Sequence, residues 1–168
     1  MKAFKLLKKF LNRQDKLSLI AVDNILKIAI PFNAPHGFSI QSVEGDIVRI
    51  KIPNRKLNQN HLGGVHACAI ATLGEFCAGM TIAKQLGLDE YRLILKQLSV
   101  DYLLQGRTDL IGESRLSNEQ CDLIKNQLSQ NDKILVDQKT DIFNAKNELV
   151  AVVTTKWQLK NWNQVQLK

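Results

Sequence analysis

Residues 58–86 read NQNHLGGVHACAIATLGEFCAGMTIAKQL, polar and glycine-containing at the start and then almost wholly apolar, with Glu75 the sole charge between His66 and Met80. A helix apolar on all sides must be covered nearly all round. The simplest architecture is therefore one long helix with a curved antiparallel sheet wrapped over it. The small residues Ala67, Ala69, Ala71, Gly74, Ala78 and Gly79 let the sheet, or a second helix, approach closely. Glycine inside a helix costs about 0.5–1 kcal/mol relative to alanine, so Gly74 beside Glu75 implies a packing or access requirement.

The flanking sequence supplies the sheet. Phe38, Ile40 and Ser42 alternate with polar neighbours, as do Val48, Ile50 and Ile52, and Glu44-Gly45-Asp46 separates the two runs as a hairpin turn. Arg92 to Leu103 is rich in strand formers, and Asp109 to Leu116 continues the pattern. Ser117 and Gln120 have capping-box spacing and open a helix through about residue 130. Lys133 to Phe143 and Leu149 to Leu159 then flank NAKNE as a second hairpin, with Leu149, Ala151, Val153, Trp157 and Leu159 on one face. Strand runs without regular helix alternation predict an antiparallel α+β domain, not a parallel doubly wound sheet.

Ahead of the sheet, KAFKLLKKFLNR (2–13) predicts an amphipathic helix, and a second helical pattern runs from about 16 to 30, stopping at Pro31. The chain of 168 residues reads as one domain: a helical extension over 1–33 and a core over 34–168 with a helical insertion near 117–130. Its net charge is +7, but the first sixteen residues hold six basic residues against Asp15 alone, which leaves only +2 for the rest. A nucleic-acid-binding face needs a basic stripe on the folded surface, so no nucleic-acid partner is expected. The basic arm docks on the domain, on a dimer partner, or weakly on an anionic membrane surface. Three cysteines, Cys68, Cys77 and Cys121, show no disulfide spacing, and the expected compartment is reducing and cytoplasmic.

Glu75 admits three readings: a carboxylate at a solvent edge or subunit seam, a structural carboxylate satisfied by local donors, or a general base or nucleophile. An ionised carboxylate without donors in such a helix would be expensive and would raise its pKa. Its surroundings point toward chemistry. Asn60, His61, Gly63, Gly64 and His66 lie where the helix begins, and free N–H groups there favour negative charge. The amides of Ala67 and Cys68 could hold an oxygen that becomes negative during acyl transfer. Glu75 lies about 13 Å from that helix end and cannot reach the same oxygen within one subunit. An antiparallel second copy across a twofold axis would bring it there, which predicts a homodimer, or a homotetramer built from it, with shared sites.

Asn60, His66 six positions on and Glu75 nine positions after that, with Gly63 in the loop, resemble the central-helix motif of hotdog-fold acyl-CoA thioesterases. The segment is most similar to a little-characterised thioesterase-like branch of unknown function that reads His-Ala and uses glutamate. LKQLSVDYLLQG (95–106) resembles that family's next strand, and the likeness extends over about 35–160. Ala67 and Cys68 stand where better-studied relatives have two glycines.

The resemblance implies a hotdog fold and hydrolysis of an acyl-CoA or acyl-carrier thioester, without a cofactor. Glu75 would activate water or attack directly, and Asn60 would place water or substrate. His66, Ala67, Cys68, Gly63 and Gly64 would form the substrate-binding helix entrance. The rival expectation is an acyl-CoA or fatty-acyl binding protein without catalysis; a hotdog dehydratase fits the spacing less well. The spacing of His61, His66 and Glu75 matches no helical zinc motif, and no metal is expected.

Overall fold

The computed structural model describes residues 15–165, so the helix expected over 2–13 lies outside the described residues. Helix α1 (Lys16–Ala29) starts at Asp15, whose carboxylate accepts from the Ser18 amide at 2.9 Å, and gives way at Pro31 to a 3₁₀ turn (Pro31–His36). Strands β1 (Ser39–Glu44) and β2 (Ile47–Ile52) form the expected hairpin, turning through Gly45 at φ +58°. The long helix α2 (Ala67–Leu86) follows, then β3 (Tyr91–Tyr102) and β4 (Leu110–Arg115). Helix α3 (Asn118–Gln130) opens with a complete Ser117–Gln120 capping box and precedes β5 (Ile134–Phe143) and β6 (Leu149–Asn161).

All six strands form one antiparallel sheet in the order β1-β2-β4-β5-β6-β3, wrapped over α2. The sheet can sit tightly because a glycine on each side of the contact leaves room for a larger side chain opposite it. A methyl group on Gly74 would overlap Val153 of β6, while the Gly74 carbonyl accepts from Thr140 Oγ1 of β5 at 3.0 Å. A methyl on Gly112 of β4 would press on Leu73 of α2 at 3.2 Å. The packing reason sought for Gly74 is thus the close approach of the sheet.

Three register shifts break strict alternation of faces along the strands. A shift between Ile40 and Ser42 puts Val43, not Ser42, on the buried face of β1. A shift opposite Phe143 leaves Leu149 half-buried and turns Val150 fully inward. A third, between Leu95 and Gln97, carries Leu98, Val100 and Tyr102 onto the face of β3 that already holds Leu93 and Leu95.

Among the described residues, coverage of α2 is incomplete. Cys68, Ala71, Thr72, Glu75 and Gly79 share one side of the helix, and none of them is fully buried. The other sides are sealed: Leu73, Cys77, Ala78 and Ile82 have no accessible surface. Glu75 therefore emerges along an open stripe of mostly small residues.

Because the Gly74 site has no room for a methyl group, Gly74→Ala should destabilise the protein by about 1–3 kcal/mol through overpacking, in spite of alanine's better helix propensity. Urea unfolding monitored by circular dichroism measures this; an unchanged or raised midpoint would contradict the packing account.

Candidate active site

The entrance to α2 is a compact loop organised by asparagines. Asn60 Oδ1 accepts from the amides of Leu62 at 2.9 Å and Gly64 at 3.2 Å, and the Gly63 amide closes a turn onto the Asn60 carbonyl at 3.1 Å. Gly63 has φ +76°, where a side chain would be strained. Gly64 is buried, and a methyl there would press on the Gly106 carbonyl at 3.2 Å. Among the described residues the Asn60 side-chain NH₂ donates no hydrogen bond within the chain. It is a donor available to a ligand.

Sequence reasoning passed over Asn58, which is 2% exposed and holds the loop together. Its Nδ2 donates to the carbonyls of His36 at 2.8 Å and Pro53 at 2.9 Å, its Oδ1 lies 3.2 Å from His36 Nδ1, and its carbonyl accepts the His66 amide at 2.7 Å. No local pattern marks this role, because its partners lie on three separated segments.

His66 is the N-cap of α2 in extended conformation, and its Nδ1 accepts from the Cys68 amide at 3.1 Å. With Nδ1 accepting, the ring hydrogen sits on Nε2. It also engages one of the two amides expected to hold an oxyanion. The Ala67 N–H has no partner within the helix, as first-turn amides do not, and makes no hydrogen bond among the described residues. Tyr102 of β3 donates to the Ala67 carbonyl at 2.9 Å, tying the helix start to the end of that strand.

Asn60, Gly64, Ala67 and Tyr102 together line a cleft of about 170 Å³. His61 and Gly63 lie on the loop outside its walls, and Cys68 is exposed on the helix. Glu75 is elsewhere: it lines a separate cavity of about 320 Å³ between α1 and α2, whose walls include Ile25, Leu26, Phe76, Met80 and Trp157. The two hollows share no lining residue.

Among the described residues the Glu75 carboxyl has no hydrogen bond or ion pair, which removes the reading of a structural carboxylate satisfied by local donors. Burial, with no compensating donor, pushes its pKa above the ordinary carboxyl range. Cys77, by contrast, is sealed; its thiol donates to the carbonyls of Val48 and Gly112 at 3.3 Å each, and burial pushes its pKa far up. It is inert packing. The arrangement offers a carboxylate of raised basicity beside apolar space, and a separate helix entrance with two free donors.

Solved structures share this architecture. A Pseudomonas aeruginosa protein of unknown function, described as a probable thioesterase, is 21% identical and aligns at a TM-score of 0.75 over 83% of this chain and 93% of its own. A thioesterase from Haemophilus influenzae, 13% identical, aligns at 0.67 over 88% of this chain and 94% of its own. A protein of unknown function from Chlorobaculum tepidum, 11% identical, aligns at 0.74 over 88% and 96%. No curated protein matches the chain. A six-stranded antiparallel sheet around one central helix, shared with these proteins, is the hotdog fold. Residues 20–159 match the domain of unknown function DUF4442, and the chain belongs to that family.

The raised Glu75 pKa has a consequence for stability. The folded state holds this proton more tightly than the unfolded chain, so the contribution is fully present below the ordinary carboxyl pKa and is lost as pH rises through the raised folded value. Glu75→Gln should therefore melt higher than the parent protein at pH 8, with the gap closing as pH falls toward 4. A variant that melts lower than the parent across that range would contradict the unsatisfied-carboxylate account.

Proposed function

We propose that this chain is an acyl-CoA or acyl-carrier thioester hydrolase, working as a homodimer whose two sites each combine Glu75 of one subunit with the helix entrance of the other. The observation that carries the reading is the separation within one subunit. An unpartnered carboxylate and a donor-lined helix start sit in different hollows on the same open side of α2.

The sheet edge supports the assembly. Among the described residues strand β3 has a neighbour on one side only, and Leu98 and Tyr102 in it, with Leu103 and Leu104 just beyond, are 37–54% exposed. Such an apolar edge favours pairing with another strand. Pairing of β3 with its twofold mate would continue the sheet across both subunits and set the small-residue stripe of α2 against its antiparallel copy. Glu75 then faces the partner's Ala67 and Asn60.

In this site the thioester carbonyl oxygen accepts from the Ala67 amide and the Asn60 side-chain NH₂ of one subunit. Glu75 of the other takes a proton from water as the water oxygen bonds to the carbonyl carbon. The tetrahedral adduct collapses by breaking the C–S bond, and the leaving thiolate receives the proton held by Glu75. The products are a carboxylic acid and a free thiol. The raised basicity of Glu75 suits it to proton abstraction near neutral pH.

A second reading, an acyl-CoA binder without turnover, draws support from the Cys68 amide already spent on His66 and from the side chains of Ala67 and Cys68 at the entrance. Release of free thiol from a panel of acyl-CoAs separates the two. Hydrolysis should be present in the parent protein, and Glu75→Gln should lower kcat by about 10²–10⁴-fold while circular dichroism and oligomeric state stay unchanged. Because the base must be ionised, kcat/KM of the parent should climb with pH through the raised Glu75 value, and residual activity of the variant should not follow that rise. Full activity in Glu75→Gln would remove Glu75 from the mechanism; acyl-CoA binding with no thiol release would favour the binder.

A further inference from the structure

The cavity beside Glu75 has a shape and lining that specify what it holds. From α2 it takes Glu75, Gly79, Met80 and Ala83, which follow one another along the helix. From Glu75 to Ala83 the helix advances about 12 Å, so the hollow is a trough running away from the carboxylate toward the C-terminal end of α2. Leu88 and Leu93 line it beyond that end.

Its opposite wall is not part of the sheet. Ile25, Leu26 and Ala29 of α1, with Ile30 and Phe32 just after it, face the trough, and Asn33 is the one polar side chain they contribute. Leu26 is buried and Ile25 and Ile30 are half-buried, although α1 adds nothing to the sheet. Glycine at position 79 keeps the floor open: a methyl there would sit 3.3 Å from the Trp157 ring. Apart from Glu75 at one end and Asn33 in the wall, every lining residue is apolar.

We infer that this trough is the binding site for an unbranched, medium-length aliphatic acyl chain, and that α1 is the wall that sets the length accepted. The inference rests on the proposed thioester chemistry only for which end of the chain lies at Glu75. A methylene occupies about the volume of a water molecule, roughly 30 Å³, so 320 Å³ corresponds to about ten carbons. The 12 Å run along α2 agrees with a chain of that order, extended and single. With the thioester carbon at Glu75, the ω end lies between Ala83, Leu88 and α1. Short or charged acyl groups would leave the apolar walls empty, and longer chains would run past the lined length.

The test separates occupancy from turnover by using S-alkyl-CoA thioethers of four to sixteen carbons, which cannot be hydrolysed, with calorimetric affinities for the full chain. Affinity should rise about fourfold per methylene up to about ten carbons and then level off or fall. Ala83→Phe, which fills the far end, should move the break to shorter chains and lower decyl-CoA affinity by at least about tenfold. Butyl-CoA affinity should change less than about twofold. Ala29→Phe, on the more exposed α1 wall, should move it the same way if the α2 variant does not fold. A flat length profile, stronger binding of a phenylethyl-CoA thioether than of the decyl compound, or an unmoved break in a folded variant would overturn the inference. Length-selective thioether binding without hydrolysis of any acyl-CoA would overturn the catalytic proposal and leave this one standing.

Discussion

The contact on which the structure turns is the one between Gly74 and the inner face of the sheet. Val153 occupies the space a side chain at 74 would need, and Thr140 reaches across from the next strand to the Gly74 carbonyl. This seats the sheet directly on the helix backbone and fixes which side of α2 is covered. Glu75, the next residue, is turned about 100° away by helix geometry. It comes out beside the sheet, neither beneath it nor in open water, and that placement leaves a carboxylate desolvated and without donors among the described residues.

Other features follow from the same constraint. A helix sealed on its sheet side and lined with small residues on its open side leaves a surface that water covers poorly and a second helix would cover well. The uncovered side carries Glu75 and Cys68, and the adjacent edge strand carries Leu98 and Tyr102 on its inner face. Helix α1 closes the rest of the gap from outside the sheet and turns it into a trough. The fold therefore makes an apolar hollow at a carboxylate, and the helix entrance makes a donor pair, from Asn60 of the loop and the Ala67 amide, about two turns away. An unsatisfied carboxylate costs stability in the folded state, and it is the arrangement that the proposed proton transfer calls for.

Much of the architecture was legible because it rests on local signals. The unbroken apolar run of α2, the Ser117–Gln120 capping box and the Glu44–Asp46 turn each specify an element without reference to distant residues. The face assignments of Ser42 and Leu149 failed for the opposite reason: a bulge depends on the neighbouring strand, and strict alternation in the sequence carries no mark of it. The site was legible in its parts. Glu75 stood out as a lone charge, and Asn60, Gly63 and Gly64 as a turn. The hub role of Asn58, the occupation of the Cys68 amide by His66, and the use of α1 as a cavity wall all come from residues that meet only after folding.

The account's central claim is that each site draws on two subunits, and a mixed dimer tests it most directly. Glu75→Gln and Asn60→Ala chains, each impaired alone, are co-expressed with different tags and the heterodimer is purified through both. If Glu75 of one subunit works with Asn60 of the other, one of the two sites in the mixed dimer is intact and the other carries both lesions. Thiol release should then recover to about half that of the parent dimer. A mixed dimer no more active than either parent variant would place both residues in the same subunit's site and contradict the account.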